Sequence, residues 1–375
     1  MMKAAILTND LNSFYKPLAE GLGRMFARAG VKAGVRYDGL DLLDFSYQPK
    51  PYQGDLPRFF SANINRLRKK ARQDAFFRWL KDFDLLVVVA NNPYAFIRDR
   101  LSGIERFRAL RPEVPVVQYN YSYLPVAGKG GLYREYFVDG LGTLAFGLER
   151  YDHYLMVTAS TPQPLPREAQ PLSVIGMDLD DGSLYPAQEG FRVLLDFPRE
   201  GKEAERELVL RVLAKTGIPY TTLSGNYSIK DIRAIYRNSG AYFVSFLESF
   251  GFPICELQAC GSLIFSPYPS WLYSHSIKED IHLPGLGRYT DNFIVYENRE
   301  DLLAAALLKA RDTFDAQAVR ARFLQEQGAF FRGDMEAVDS FLNAVRQGTI
   351  HGGSHQAHRA LHQGIDPEDH CPPPW

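Results

Sequence analysis

The strongest constraint on this chain is a rhythm of short, unbroken apolar runs alternating with stretches of helical spacing. KAAILT (3–8), FDLLVVVANN (83–92), VPVVQYNYS (114–122) and HYLMVTAS (153–160) are the clearest runs in the first half. A strand with one wet face alternates apolar and polar residues, whereas a strand apolar throughout is covered on both faces. Parallel strands joined by crossover helices meet that demand. The first half is therefore expected to be a doubly wound α/β domain. PLAEGLGRMFARAG (17–30) reads as its first helix, with Gly30 as the stop.

STPQPLPREAQPL (160–172) interrupts the rhythm with four prolines and no apolar period, as an extended linker does. The rhythm then resumes with strands FRVLLDF (191–197), IPYTTLSG (218–225), AYFVSFL (241–247) and SLIFSPY (262–268). Between and after them come helices EAERELVLRVLAKTG (203–217), IKDIRAIYRNSG (229–240) and one over 299–311. The 375 residues suit two domains, each large enough for its own core. The expected division is a Rossmann-like domain over 1–165, a second over 166–328, a helix over 329–348 and a His- and Pro-rich flexible tail over 349–375. Two such domains enclose a cleft, and open sheets take ligands at the carboxyl ends of their strands.

Composition excludes several classes. A net charge of −1 offers no field for nucleic acid. Cys255, Cys260 and Cys371 fit neither a disulfide framework nor a zinc site, which points to a reducing compartment. The start MMKAAILTNDLNSFYK lacks the long apolar core of a secretory signal, and no run of eighteen apolar residues occurs, so a cytoplasmic location is expected. DLDDG (178–182) does not complete a calcium loop and reads as an acidic turn.

The densest functional signal is SFLESFGFPICELQACGSLIF (245–265), a strand end, a turn, a short helix and a strand. Pro253 suits the first helical position and Gly261 the left-handed stop, while Gly251 lets backbone approach a ligand. The helix N-terminus suits a phosphate. Glu248 and Glu256 flank that position, and carboxylates are good acceptors for sugar hydroxyls. A turn plus helix separates them by roughly 10 Å, the scale of a nucleoside diphosphate sugar with hydroxyls at both ends.

This segment resembles the E-x7-E signature of retaining glycosyltransferases of the GT-B fold, family 4, where Glu-Ala-Met-Ala-x-Gly stands in place of Glu256-Leu257-Gln258-Ala259-Cys260-Gly261. SVIGMDLDDGSLYP (173–186) is similar to the opening of that family's second domain. The resemblance covers about 173–270, and the first half by architecture only. It implies that Glu248 and the amides of Phe250, Gly251 and Phe252 meet the donor sugar, that Glu256 holds the ribose, and that the base lies against Tyr227. Arg199 and Lys202 are candidates to neutralise the diphosphate, although Asp196-Phe197 replaces the family's Gly-Arg pair. TNDLNSFYKP replaces its Gly-Gly loop, leaving Asn12 and Ser13 as phosphate donors. The implied activity is a metal-independent hexosyl transfer with retention, through a front-face substitution stabilised by preorganised charge. The donor would be a nucleotide-diphosphate sugar, UDP by family frequency, with no further cofactor, and the acceptor a carbohydrate or a lipid-linked molecule. A sugar-nucleotide epimerase on the same scaffold and a non-catalytic nucleotide-sugar binder stay open beside it.

Two further segments carry alternatives. RFFSANINRLRKKARQDAFFRWLKDF (58–83) has eight Lys or Arg and six aromatics. It reads either as a helix lying on the inner face of a membrane, which would suit a lipid-linked acceptor, or as a cover for the first sheet with a solvated basic face. In the tail, His351, His355, His358 and His362 have the spacing of one helical face, as for a transition metal. Glycines before them and prolines after favour a flexible tail outside catalysis.

Overall fold

The computed structural model describes residues 1–8, 15–43, 56–89, 102–121, 151–158, 172–246, 248, 250–280 and 286–356. The first sheet contains β1 (Lys3–Leu7), β2 (Lys32–Arg36), β3 (Leu85–Val89), β4 (Val116–Asn120), β5 (His153–Met156) and β6 (Leu172–Val174), all parallel, in the order β2-β1-β3-β4-β5-β6. Its helices are α1 (Tyr15–Arg28), α2 (Gly39–Leu43), α3 (Leu56–Leu80) and α4 (Ser102–Leu110).

The second sheet is also parallel, with β7 (Val193–Leu195), β8 (Tyr220–Thr222), β9 (Ala241–Phe243), β10 (Leu263–Ser266) and β11 (Phe293–Val295) in the order β11-β10-β9-β7-β8. It carries α5 (Glu203–Thr216), α6 (Ile229–Arg237), α7 (Phe252–Ala259), α8 (Glu300–Asp312) and α9 (Ala316–Glu326), followed by α10 (Ala329–Arg332) and α11 (Met335–Arg346). Two Rossmann-like sheets meeting at a cleft constitute the GT-B architecture expected from the sequence.

The unbroken apolar runs have the expected cause. In the first sheet Ala4, Ile6, Val87 and Tyr119 enter a core continuous with the second domain, while Ala5, Leu7, Leu86 and Val88 enter one shared with Phe76, Phe77 and Leu80 of α3. In the second sheet Leu194 and Tyr242 join the shared core, whereas Leu195 and Phe243 face Val212 and Leu307. Opposite faces are thus both buried, so the strands are mainly apolar, with Gln118 and Asn120 of β4 as buried polar exceptions.

The strands that sequence reading overlooked, β2, β6 and β11, are all sheet edges. Edge strands are covered less completely, and KAGVR, LSV and FIV carry weak signals. β6 also moves the domain boundary. Leu172–Val174 pairs with β5 although the expected boundary lies at 165/166, so the passage between domains begins after Val174.

α11 lies against α1 and β6 of the first domain, with Phe341 stacked on His153 at 5.5 Å. The segment expected to be flexible from 349 is anchored over its described part. Buried Asp152 accepts from the amides of Gly353 (3.0 Å) and His355 (2.9 Å), and its carboxylate also meets the His355 ring (2.9 Å). His351 contacts the Gly352 carbonyl instead, while His358 and His362 lie outside the described residues. On α3, Phe76 and Phe77 are buried with Phe83 just beyond, which is the sheet-covering arrangement, while Ile64 and Leu67 are exposed. The side chains of Phe59 and Phe60 lie outside the described residues. Among the described residues, no helix is long and apolar enough to cross a membrane.

Candidate functional site

In the second sheet, β8 lies on one side of β7 and β9 on the other. The chain therefore leaves the carboxyl ends of β7 and β9 in opposite directions and opens a crevice there, the place where doubly wound sheets take ligands. The loops beginning at Asp196 and Val244 border it. The Ser245 hydroxyl donates to the Asp196 carboxylate across the opening at 2.6 Å.

Glu248 lies beside this bond. Its amide donates to the Trp271 carbonyl at 3.0 Å. Burial, reinforced by the Asp196 carboxylate, pushes its side chain up to about 7, with Arg199 pulling the other way. Gly251 has a reason beyond ligand approach: a Cβ there would lie 2.6 Å from Glu248 Cγ, so the glycine makes room for this carboxylate. The Arg199 guanidinium stacks on Phe246 at 4.3 Å and lies 3.7 Å from Asp196. The Lys202 ammonium sits 5.1 Å from the Trp271 ring centroid and 3.9 Å from Glu205. Both cations keep about two-fifths of their side-chain surface in solvent, with 43% and 37% exposed. Glu248, Arg199 and Lys202 are thus brought together at the crevice.

A second hollow of about 250 Å³ adjoins it, lined by Phe197, Tyr227, Phe252 and Glu256, with Pro17 of α1 closing it from the first domain. Tyr227 and Phe197 have their rings 6.3 Å apart, and the Ser224 amide donates to the Tyr227 hydroxyl at 3.2 Å. Ser228 caps α6 by accepting from the Asp231 amide, which ends the Tyr227 loop in a fixed place.

α7 starts with Gly251 as N-cap and Pro253 in its second position rather than the first. It is apolar except for Glu256 and Gln258. At its end Gly261 has φ +84°, and a Cβ there would lie 2.5 Å from the Ala316 carbonyl oxygen, so both conformation and space require glycine. Glu256 is 9% exposed. Its Oε1 accepts from Arg233 Nε (2.9 Å) and Nη2 (2.6 Å). Burial raises the Glu256 carboxyl, with Arg233 opposing.

Phe250 and Phe252 are shared between domains. Phe250 stacks on Tyr121 of the first domain (5.5 Å) and on His275 (5.3 Å), and Phe252 meets Tyr121 edge-on (5.4 Å). His275 is fully buried and, among the described residues, neither ring nitrogen has a hydrogen-bond partner; burial lowers it to about 3. At the carboxyl edge of the first sheet, buried Thr8 Oγ1, both amide atoms of Gln118 and Asn120 Nδ2 also lack partners among the described residues. Asn12 and Ser13 lie outside the described residues. Among the described residues, no group of three or more His, Cys, Asp or Glu comes together as a metal site would require.

Sequence reading missed Arg233, Asp181 and Ser183, although one signal was available. Arg233 stands three residues before Tyr236, and both are buried, a charge on the one face of α6 that turns inward.

No family profile and no curated protein matches the sequence. Among solved structures, the chain is similar to Alr3699/HepE of Anabaena in complex with UDP and glucose (TM-score 0.46, 11% identity, 92% of this chain and 100% of that one). It is also similar to the UDP-GlcNAc 2-epimerase of Neisseria meningitidis bound to UDP-GlcNAc (TM-score 0.46, 9% identity, 92% and 100%). A further likeness is to CalG4, the calicheamicin glycosyltransferase (TM-score 0.40, 12% identity, 93% and 99%).

Proposed function

We propose that the protein binds a nucleotide-diphosphate sugar, with a uridine base, in the second domain and transfers the sugar with retention to a carbohydrate or lipid-linked acceptor at the first. The observation that carries this reading is the pairing of two sites along α7. One is an aromatic hollow with a buried carboxylate, suited to a nucleoside. The other is a crevice with Arg199, Lys202 and Glu248, suited to a diphosphate and a sugar. In this reading Tyr227 and Phe197 flank the base and Glu256 accepts from the ribose. Arg199 and Lys202 offset the charge that develops on the leaving diphosphate. Glu248, protonated part of the time near neutrality, is able both to donate to and to accept from sugar hydroxyls. No resident cofactor or metal is part of the proposal.

The Asp196–Glu248 neighbourhood supports an epimerase as the second reading, because a carboxyl group near neutrality can exchange a proton with a sugar carbon or its hydroxyls. The test uses uridine, guanosine, adenosine and thymidine diphosphate sugars. Thermal stabilisation by one base class, lost in Glu256→Ala, supports the nucleotide site. Release of nucleoside diphosphate only when acceptor extract is present supports transfer, whereas a new epimer without acceptor supports the second reading. A folded protein stabilised by none of the donors removes both.

A further inference from the structure

The ribose role assigned to Glu256 rests on the reading above, and its geometry permits a deeper step. Arg233 is 5% exposed and spends its guanidinium on three residues of two elements. Nε and Nη2 both go to Glu256 Oε1 on α7, while Nη1 goes to Asp181 and to the Ser183 hydroxyl (2.8 Å) in the loop between the domains. The fork is spent on a single carboxylate oxygen, leaving Oε2 of the same group for a ligand in the hollow. A carboxylate sharing an apolar helix with Cys255 and Cys260, and facing Tyr236, would otherwise tend to take up a proton.

We propose that Arg233 is a positioning residue for nucleoside recognition: it fixes the Glu256 carboxylate through Oε1 and keeps it charged, so that Oε2 is a strong acceptor for the ribose hydroxyls. Arg233 itself touches no ligand in this arrangement. The titratable and charged groups around Glu256 are Arg233 and Tyr236 from α6, Asp181 from the interdomain loop, and Cys255 and Cys260 on its own helix. Arg233 favours the ionised form of Glu256 and Asp181 disfavours it. The two therefore make opposite predictions.

The experiment measures, by calorimetric titration between pH 5 and 8, the binding of a nucleoside diphosphate and of its 2′,3′-dideoxy counterpart. The nucleotide is whichever of UDP, GDP and ADP the wild type binds. The ratio of the two affinities isolates the hydroxyls, and a hydrogen bond to a charged group makes it about tenfold or more for the wild type. That ratio falls with pH as Glu256 takes up its proton. In Arg233→Gln the midpoint of the fall moves up by a unit or more, in Arg233→Lys it stays near the wild type, and in Asp181→Asn it moves down. Glu256→Gln has a small ratio that does not depend on pH. A merely structural role for Arg233 would weaken both nucleotides alike and leave the midpoint in place; that result overturns the proposal, as does an unmoved midpoint in Asp181→Asn, the arm that decides should Arg233→Gln not fold. A wild type that binds none of the three nucleotides overturns the nucleotide reading itself, and one that binds ribo and dideoxy forms equally overturns the role of Glu256.

Discussion

Glu248 and Glu256 are the same residue type eight positions apart, the first half-buried and the second buried, and their surroundings differ in kind. Glu256 has a buried guanidinium on one of its oxygens. Glu248 has another carboxylate, Asp196, as a neighbour, and the cation that favours its charge, Arg199, is half in solvent. Burial raises both, but among the described residues only Glu256 has its opposing cation hydrogen-bonded to it. A carboxylate fixed by an arginine is an acceptor of constant character, whereas one near neutrality can change its proton during a cycle. In the proposed reading, the halves of the cleft assigned to recognition and to reaction differ in counter-charge rather than in residue type.

The contrast can be broken most severely at the paired side. Glu256→Ala leaves Arg233 buried with Asp181 alone, and breaking a buried pair costs about 3–5 kcal/mol. Urea unfolding should read about 3 kcal/mol, since Asp181 remains; a loss below about 1 kcal/mol would show that the pair does not hold α7 to α6.

On the unpaired side the effect has the opposite sign. The folded Glu248 carboxyl titrates at about 7 against an ordinary 4.5, so the folded protein keeps a proton that the unfolded chain has already released. Its contribution to stability falls as pH rises from about 4.5 to 7 and is level above. Glu248→Gln removes that slope and is expected to be more stable than the wild type at pH 8 by up to about 3 kcal/mol. Equal stabilities at pH 8 would mean that the group is ionised without penalty.

His275 supplies the counter-slope. Held at about 3 against an ordinary 6.5, it makes the folded state resist a proton that the unfolded chain accepts, so stability is lost as pH falls below about 6.5. His275→Phe should recover about 2 kcal/mol at pH 5, measured by denaturation, and because the two slopes offset each other between about pH 4.5 and 6.5, the double variant with Glu248→Gln should keep the wild-type pH dependence in that window. The smallest effect expected is that of Gly251→Ala. Its methyl meets Glu248 Cγ, an overpacking of about 1 kcal/mol that the carboxylate relieves by turning away. Turnover should fall more than stability does, and the reverse would place the importance of Gly251 in folding.

The legibility of the chain divides along the same line. Covered strands declared themselves because both faces had to be apolar, and Glu248, Gly251, Glu256 and Gly261 fell in one short segment with local stereochemical reasons. The edge strands β2, β6 and β11 were missed because solvent relaxes that demand, although β8, also an edge, was legible. Arg233 and Asp181 lie 52 residues apart in sequence, and their meeting depends on how the interdomain loop returns to α6. Asp196 was visible only as a departure from a familiar pattern. Its partner Ser245 sits 49 residues later, in the loop that follows β9, the strand that the sheet order places next to β7. Local chemistry was readable, but contacts made by chain crossings were not.

The return of α11 to the first domain bears on how this protein is made. Val338, Phe341 and Leu342 cover apolar surface that also involves Leu22, Met25 and Phe26 of α1, and Asp152 receives the backbone of Gly353 and His355. A chain emerging from the ribosome therefore presents the first sheet long before the residues that finish its cover have been synthesised. The N-terminal half must wait, partly bare and prone to association, while the second domain is completed. Cutting the gene after β6 would not yield a smaller folded unit, because the last piece of the first domain is encoded at the far end of the second.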